Sequence, residues 1–182
     1  FNPVFKSFNK FIFNKFDKIL TGSEKLKNTL SKLIPSDKII VTGDSRFDQI
    51  AYRVKNSIEF NQFNNESKYI ILGSIDSKDF PIIKDAMANF KNKCHYIIVP
   101  HEIDPDSIRK IEILLDDIQV NYIPLSKTAN ANIENYDCII VDTLGILLDL
   151  YQYADIAYVG AGFSNGVHSV IEPLAQNCIV CY

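Results

Sequence analysis

Two segments near the carboxyl end of the chain have the residue types and the spacing of an anion-binding site. Residues 141–145 (VDTLG) and residues 166–173 (GVHSVIEP) each stand where an apolar run ends and a helical pattern begins. A helix start exposes unpaired backbone N–H groups and the positive end of the helix dipole, and both favour a phosphate. The two segments therefore predict one nucleotide pocket formed by two helix starts.

Glu172 admits two roles in this pocket. Together with Ser169 it has the S-x-x-E form of a capping box, and Pro173 fits the first turn of a helix. Alternatively, its carboxylate accepts hydrogen bonds from both ribose hydroxyls of a nucleotide, because each carboxylate oxygen is an acceptor. His168, just before the predicted helix, is placed to reach the same ligand. The residues alone leave both roles of Glu172 open.

The D-T-x-G segment predicts the contacts to a phosphate. Thr143 is expected to cap a helix over residues 146–153. The backbone N–H groups of Gly145, Ile146 and Leu147 would then be free for a phosphate. A capped helix without a ligand is the alternative.

Other predicted strands also end in polar residues. Ser74 follows Gly73 at the end of one strand, and His101 and Glu102 follow another. A histidine beside an acid at such a place could hold a polar ligand or transfer a proton, and ordinary surface residues are the alternative. The glycine-rich loop at residues 160–166 follows a strand too, but it matches no complete dinucleotide fingerprint.

An earlier turn, at residues 42–48 (TGDSRFD), follows the first predicted strand. Gly43 permits a tight turn there, and Asp44 or Ser45 can cap the helix that follows. An ordinary strand-to-helix turn and a ligand-binding turn both fit this pattern.

Short apolar runs alternate with helical patterns along most of the chain. Most of these runs are apolar at every position, which indicates burial on both faces and hence a parallel sheet covered by helices. Strand–helix–strand repetition predicts a doubly wound α/β domain, which binds ligands at the carboxyl ends of its strands. The predicted strands are residues 38–42, 69–73, 95–100, 120–123, 138–142, 156–160 and 178–181, and the clearest helices are residues 80–90, 105–117, 146–153 and 170–176.

The first 35 residues do not follow this alternation. They hold seven lysines and two acidic residues, and their apolar side chains recur at three- and four-residue steps, which predicts a basic amphipathic helix. Such a helix either packs against a neighbouring domain or lies on an anionic membrane surface. A second helix is predicted over residues 24–33. The apolar positions of the first helix are Phe5, Phe8, Ile12, Phe16 and Ile19, and its lysines are Lys6, Lys10, Lys15 and Lys18.

Composition excludes several classes of protein. The chain has 182 residues, of which 47% are apolar, enough for one packed domain with additional elements. Its net charge of -3 is not that of a general nucleic-acid-binding protein, which carries a basic surplus. No apolar run is long enough to span a membrane, and no signal-peptide pattern is present.

The four cysteines indicate a reducing compartment. Cys178 and Cys181 have C-x-x-C spacing, but no second pair accompanies them and the residues between them are apolar. Two reduced thiols in a buried strand are therefore expected, in a cytosolic protein, rather than a zinc or redox site.

Five segments of the chain, taken in order, resemble those of 3-deoxy-D-manno-octulosonic acid (Kdo) transferases, which are GT-B glycosyltransferases. The likeness extends over residues 5–182, and the D-T-x-G and G-x-H-x-x-x-E-P segments are its most specific parts. The segments are residues 43–48 (GDSRFD), 73–74 (GS), 100–102 (PHE), 142–145 (DTLG) and 166–173 (GVHSVIEP).

The resemblance implies an enzyme with two Rossmann-like domains and a cleft between them. It implies transfer of Kdo from CMP-Kdo to a lipid A precursor, at the cytoplasmic face of the bacterial inner membrane, in lipopolysaccharide synthesis. Residues 1–35 would be the helical tail of the N-terminal (acceptor) domain, and residues 36–182 the nucleotide-sugar-binding domain, truncated at its C-terminal end. The general base and the membrane anchor would lie upstream, so no catalytic residue is assigned here, and no metal or cofactor is required.

Matching the motifs residue by residue gives the expected donor site. Many members have Asn where Ser169 stands, Glu where Ile146 stands, and an Arg in the segment that holds His101. Arg46 is therefore a candidate for the cation that faces the phosphate, and Gly166 is a further candidate contact. The residues expected to border the donor are Ser74, His101, Glu102, Thr143, Leu144, Gly145, Ile146, Leu147, His168, Ser169 and Glu172.

Two other functions are compatible with the same residues. Another GT-B enzyme with a different nucleotide sugar, such as a nucleotide-sugar epimerase, would share the fold and the helix starts. A non-catalytic nucleotide-binding module would share them as well. An upstream Rossmann-like half with an acidic residue facing the cleft would favour the enzyme.

Overall fold

The computed structural model describes residues 3–64, 67–90, 93–164, 166 and 168–182. It contains two compact units, Phe1–Ala51 and Tyr52–Tyr182. The boundary falls inside helix α3 (Ser45–Lys55). The sequence predicted a boundary between residues 35 and 36, where the tail of an acceptor domain would meet the nucleotide-sugar-binding domain. That boundary stays a prediction.

The amino-terminal unit holds a small parallel sheet in which strand β1 pairs with strand β2. Its buried core contains Leu33, Ile34 and Ile39. The elements in chain order are α1 (Pro3–Phe13), β1 (Ile19–Thr21), α2 (Glu24–Leu30) and β2 (Ile39–Val41).

Helix α1 is shorter than the sequence predicted, and Phe16 and Ile19 lie outside it. The Lys38 Nζ group donates to the carbonyl oxygens of Asn14 and Phe16, both at 3.1 Å, and so binds acceptors just beyond the last turn of the helix. Ile19 begins β1 instead, where it pairs with Ile39. The strand was missed because the three- and four-residue spacing of apolar side chains continues past the end of the helix.

The carboxyl-terminal unit is built on a six-stranded sheet with the order β5-β6-β4-β3-β7-β8, and its strand pairs are parallel. This confirms the predicted α/β architecture. The first predicted strand, residues 38–42, is not part of this sheet, because it is β2 of the amino-terminal unit. The six strands are β3 (Tyr69–Ile75), β4 (His95–Pro100), β5 (Tyr122–Pro124), β6 (Cys138–Ile140), β7 (Ala154–Val159) and β8 (Ile179–Cys181).

Alternate residues of the central strands face two cores, one on each side of the sheet. On β4, Ile97 belongs to one core and Ile98 to the other, and both are fully buried. Helices α4 and α5 cover the Ile98 side, whereas α6 and neighbouring 3-10 turns cover the Ile97 side. This two-sided burial is that of a doubly wound domain. The helices of this unit after α3 are α4 (Phe80–Asn89), α5 (Pro105–Asp117), α6 (Leu147–Leu150) and α7 (Ile171–Ala175).

The order of the strands defines a switch point between β3 and β7. From β3 the chain adds β4 on one side, whereas β7 and then β8 lie on the other side. In open α/β sheets, ligands bind in the crevice outside the carboxyl ends of the two strands at such a point. Gly73 with Ser74, and the loop that begins at Gly160, stand at these two strand ends.

Across the described ranges, no helix combines the length and the apolar character that a bilayer span requires. The same residues contain no group of three or more His, Cys, Asp or Glu arranged to hold a metal ion. All four cysteines are free. Cys178 is buried as predicted, but Cys181 is exposed, because β8 is an edge strand.

Candidate functional site

The carboxyl ends of β3 and β7 hold residues in uncommon backbone conformations. Ser74 has φ 54° and Ala161 has φ 67°. This left-handed region costs a residue with a side chain about 1–3 kcal/mol. The pairing of β3 with β4 also shifts register between Gly73 and Ile75. Two strained residues thus flank the crevice at the switch point, and such strain concentrates at functional sites.

One buried carboxyl group joins the loops that follow these strands. Asp79 is 0% exposed. Its Oδ2 accepts hydrogen bonds from the backbone N–H groups of Asp76 (2.8 Å) and Ala161 (3.1 Å). Its Oδ1 accepts a hydrogen bond from the Tyr158 hydroxyl at 2.9 Å. Gly160 makes room for this arrangement, because a Cβ there would lie 2.8 Å from Asp79 Oδ2.

Two predicted donor contacts lie together on the rim of the crevice. The rings of His101 and His168 stack with their centroids 4.4 Å apart. Close to them, Asp76 accepts a hydrogen bond from the Ser164 hydroxyl, which links the loop after β3 to the loop after β7. That hydrogen bond holds the pKa of Asp76 below its ordinary value, with smaller contributions from Lys78 and from the charge of His101.

A cavity of about 240 Å³ opens beside these residues, outside the carboxyl ends of β3 and β4. Asp76, His101 and Glu102 line it together with Lys110. His101 and Glu102 are therefore exposed to one shared space at the end of β4, and their role as donor contacts stays a prediction.

The two segments predicted to form the nucleotide pocket lie beside one guanidinium group. Arg53 Nη2 donates to the carbonyl oxygen of Gly145 at 3.0 Å and to Asp149 Oδ2 at 2.9 Å. Gln176, at the end of the helix that holds Glu172, donates from Nε2 to the carbonyl oxygen of Leu148 in α6 at 3.2 Å. The charges of Arg53 and Asp149 act on the Glu172 carboxyl group. The Gly145 turn and the Glu172 carboxyl group therefore face the same region of the molecule.

The environment of Glu172 disfavours its ionised form. Burial raises the pKa of Glu172, the positive charge of Arg53 opposes that rise, and the negative charge of Asp149 adds to it. Glu172 in turn acts on Tyr151, whose pKa is raised first by burial and then by the Glu172 charge. The Tyr151 hydroxyl lies against Gly73, where a Cβ would overlap it. Through Tyr151, Glu172 is thus adjacent to the end of β3.

Neither helix start is capped as the sequence predicted. Helix α6 begins after Ile146 and helix α7 after Val170, and neither residue makes a side-chain cap. Gly145, with φ 83°, turns the chain between Thr143 and the helix, so Thr143 stands too early to cap it. The predicted capping box of Ser169 and Glu172 is also wrong, because α7 begins after Val170.

Helix α6 contains four residues and continues as a 3-10 turn (Tyr151–Tyr153), whereas one helix over residues 146–153 was predicted. A single helical turn has a small dipole, so its attraction for a phosphate is weaker than predicted. Arg53, which is ion-paired with Asp149, places a guanidinium group at the same turn. The exposed residues of the segment are Thr143, Leu144 and Gly145, and those packed against the core are Ile146 and Leu147.

Arg46, the predicted phosphate-facing cation, forms an ion pair with Asp44 at 2.6 Å in the amino-terminal unit. Asp44 also accepts from the Arg46 backbone N–H at 3.0 Å, which confirms the predicted cap of α3. The hydrogen bond with Arg46 lowers the pKa of Asp44 to about 2. The phosphate role of Arg46 stays a prediction. Arg53 was missed, because it stands inside a helical pattern and follows no strand.

Asn165 of the glycine-rich loop and Val167, which follows the loop, lie outside the described residues. Gly166 between them is exposed and has φ 100°, and Ser169 is exposed as well. Asp142 of the D-T-x-G segment has a structural role. It accepts hydrogen bonds from the Ser126 N–H (3.0 Å) and hydroxyl (2.5 Å), which joins the segment to the turn after β5.

No protein-family model matches the chain. Curated relatives do match it. A 3-deoxy-D-manno-octulosonic acid transferase of Chlamydia trachomatis serovar A is 29% identical over 172 residues, which are 90% of this chain and 39% of that protein. A bifunctional glycosyltransferase/methyltransferase of Fusobacterium nucleatum is 34% identical over 120 residues, which are 64% of this chain and 18% of that protein. The chain thus spans about two fifths of the length of the chlamydial transferase.

A solved structure has the same fold. The C-terminal CMP-Kdo binding domain of WaaA from Acinetobacter baumannii matches 73% of this chain and 67% of that domain, with a TM-score of 0.55 and 17% identity. This likeness confirms the predicted Rossmann-like fold. The transferase relatives confirm the predicted resemblance to Kdo transferases.

Proposed function

We propose that this chain is the donor-binding part of a Kdo transferase, and that the crevice between the carboxyl ends of β3 and β7 binds CMP-Kdo. The observation that carries the proposal is that Arg53 binds the Gly145 turn, that Gln176 joins the helix of Glu172 to α6, and that α6 and Tyr151 lie against Gly73 near the end of β3. The Kdo transferase relatives, which match 90% of the chain, support the donor and the reaction. The donor named for the structural neighbour supports it as well.

The nucleotide half of the donor is assigned to these three groups. The Glu172 carboxylate would accept hydrogen bonds from the two ribose hydroxyls. Both hydrogen bonds of Arg53 among the described residues come from Nη2, so its Nε and Nη1 hydrogens are available to a phosphate. Backbone N–H groups of the Gly145 turn would complete the phosphate site.

The remaining predicted contacts are assigned to the other half of the donor. Ser74 stands at the end of β3, and the stacked rings of His101 and His168 stand beyond it. Together with Glu102 they are assigned to the sugar half of the donor, which carries hydroxyl groups and a carboxylate.

The proposed reaction is a direct displacement with inversion at the anomeric carbon of Kdo. A hydroxyl group of the lipid A precursor attacks that carbon, and CMP leaves. A base outside the residues assigned here would take the hydroxyl proton. As the glycosidic bond breaks, negative charge builds on the phosphate, where Arg53 and the backbone N–H groups would stabilise it.

The acceptor is a membrane lipid, so contact with the cytoplasmic face of the inner membrane belongs to the proposal. On helix α1, Phe5, Phe8 and Phe11 are 61%, 60% and 62% exposed, and Lys6 and Lys10 are exposed too. Such a helix suits an anionic surface. Co-sedimentation with anionic but not with neutral vesicles would support this contact, and no pelleting with either would exclude it.

Titration of the chain with CMP, and with UMP and ADP as controls, tests the proposal. CMP is expected to bind more tightly than both controls, and Glu172→Ala to weaken its binding. Equal or undetectable binding of all three nucleotides would contradict a CMP-Kdo site. A loss of thermal stability in Glu172→Ala without a loss of CMP affinity would reduce Glu172 to a structural residue.

A further inference from the structure

We propose that Asp79 is a positioning residue that holds the loops after β3 and β7 at the separation the donor requires; this inference rests on the proposed function. Asp79 is 0% exposed and so does not touch a ligand in the crevice. Its effect on the site would pass through the backbone groups that it binds.

The contacts of Asp79 span the switch point. Its Oδ2 binds the N–H of Asp76, in the loop after β3, and the N–H of Ala161, in the loop after β7. One oxygen atom therefore fixes two loops that are joined to adjacent strands. Oδ1 is held by the Tyr158 hydroxyl of β7 itself, so the carboxyl group has little freedom to rotate.

Burying the Asp79 carboxyl group carries an unfavourable desolvation free energy. A carboxyl group out of contact with water loses hydration, and its hydrogen bonds only partly replace it. None of the ion pairs found among the described residues includes Asp79, so no cation offsets this cost. Well-packed apolar residues are often at least as stable as buried polar groups, which makes stability alone a poor reason for this carboxyl group.

The loops held by Asp79 are those that contain the strained residues. Ala161 itself has φ 67°, and its N–H is bound by Asp79. Ser74 has φ 54° and lies two residues before Asp76. Strained backbone persists only where its surroundings impose it. The three hydrogen bonds of Asp79 supply that constraint.

A second link at the surface depends on the buried one. Once Asp79 has fixed the Asp76 and Ala161 backbones, the Asp76 carboxylate meets the Ser164 hydroxyl, and Ser164 N–H binds the Ala161 carbonyl oxygen at 3.0 Å. Asp76 also lies beside His101, which the proposed function places at the donor. Loss of Asp79 should therefore displace His101 and Ser74 together.

Three variants separate positioning from general stability. Asp79→Leu keeps the side-chain volume but leaves both backbone N–H groups without an acceptor. Asp79→Asn is the conservative variant, because its amide oxygen can replace Oδ2 while its NH₂ group donates to Tyr158. Asp155→Asn is the matched control, because Asp155 Oδ2 binds the Tyr69 N–H at 3.1 Å and so joins β7 to β3 at the opposite end of the same strands.

Affinity for CMP-Kdo and thermal stability should be measured for all three variants and the unsubstituted chain. We expect Asp79→Leu to weaken CMP-Kdo binding by about tenfold or more, since small displacements of binding groups have large effects. Asp79→Asn should restore most of the affinity, and Asp155→Asn should leave it within about twofold whatever its melting temperature. Unchanged affinity in Asp79→Leu, or an equal loss in Asp155→Asn, would overturn the inference.

Amide hydrogen exchange of the unsubstituted chain gives a readout that depends neither on a variant nor on CMP. Slow exchange at Asp76 and Ala161, relative to other loop amides, supports the link even if Asp79→Leu does not fold. Fast exchange at both would overturn it. If the unsubstituted chain does not bind CMP while both amides exchange slowly, the proposed function fails and the structural link stands; a positioning role toward CMP-Kdo fails with that function.

Discussion

At the scale of single residues, burial decides what Glu172 can do. The sequence left capping and ribose binding open, and the structure removes the capping box because α7 begins after Val170. Burial raises the pKa of Glu172. The positive charge of Arg53 opposes this rise, and the negative charge of Asp149 adds to it. Among the described residues, no hydrogen bond to the half-buried Glu172 carboxyl group is found, and a carboxylate with both oxygens available suits a vicinal diol.

The raised pKa of Glu172 predicts a pH dependence of CMP binding. Two ribose hydroxyls need the ionised carboxylate, so affinity should fall as the pH falls through the raised pKa, at a higher pH than an ordinary glutamate would give. The CMP phosphate has a titration of its own, at about pH 6, so Glu172→Gln is the control that shares the phosphate titration but lacks the carboxyl group. Identical pH profiles for the two proteins would contradict the ribose role.

Glu172→Gln also predicts the sign of a stability change. An acid whose pKa is raised by folding stabilises the protein at low pH, and that contribution is lost as the pH rises through its folded-state pKa. At neutral pH the Gln variant should therefore melt at the same temperature as the unsubstituted chain or at a higher one. A lower melting temperature would mean that Glu172 makes a stabilising contact.

Arg53 should matter for both folding and phosphate binding. Its partner Asp149 is 4% exposed, so Arg53→Met should cost about 1–3 kcal/mol, below the value for a fully buried pair because Arg53 is partly exposed. Arg53→Met should also raise the pKa of Glu172 further, moving the loss of CMP affinity to higher pH. Arg53→Lys keeps the positive charge but loses the planar set of N–H donors. Its stability and its CMP affinity should lie between those of the unsubstituted chain and those of Arg53→Met. Equal CMP affinity in all three proteins would remove Arg53 from the phosphate site.

Residues at strand ends were predictable, whereas their partners were not. His101, Gly145 and Glu172 stand in short motifs, so local spacing identified them. Arg53 reaches Gly145 across 92 positions of the chain, and Asp79 reaches Ala161 across 82. No local pattern records such contacts, and only the folded sheet brings them together.

At the scale of elements, strands were predicted better than helix ends. Mostly apolar runs located the six strands of the large sheet, because burial on both faces leaves few polar positions in its central strands. Helices α1 and α6 end earlier than their apolar spacing indicates, since long-range contacts such as those of Lys38 decide where a helix ends. Strand β1 was missed for the same reason.

The contact between Gly73 and Tyr151 predicts that β3 accepts no side chain at its end. Gly73→Ala should destabilise the unit by about 1–3 kcal/mol through overpacking, since a Cβ would overlap the Tyr151 hydroxyl and lie 3.2 Å from Leu147 Cδ1. Tyr151→Phe in the same chain should restore part of that loss. Gly22→Ala is the control, because a Cβ there meets its nearest atom at 3.8 Å. Chemical denaturation gives the free energy of unfolding of each variant. Equal losses of stability in Gly73→Ala and Gly22→Ala would contradict the packing argument.

At the scale of the whole molecule, the sequence predicted one Rossmann-like domain with a helical addition, and the structure holds two compact units that divide after Ala51. The apolar pattern could not show that the first predicted strand pairs with β1 instead of joining the large sheet. The relatives are longer than this chain, which spans 39% of the chlamydial transferase. A cytidine site at the switch point is the part of the proposed activity that this chain can show by itself.

Backbone amide chemical shifts recorded during a titration with CMP test that site most directly. We predict that the largest shift changes fall on the turn at Gly145 and on the first turn of α7 at Glu172. Changes centred on the amino ends of the strands, near Tyr69 and Ala154, or the absence of any change, would contradict it.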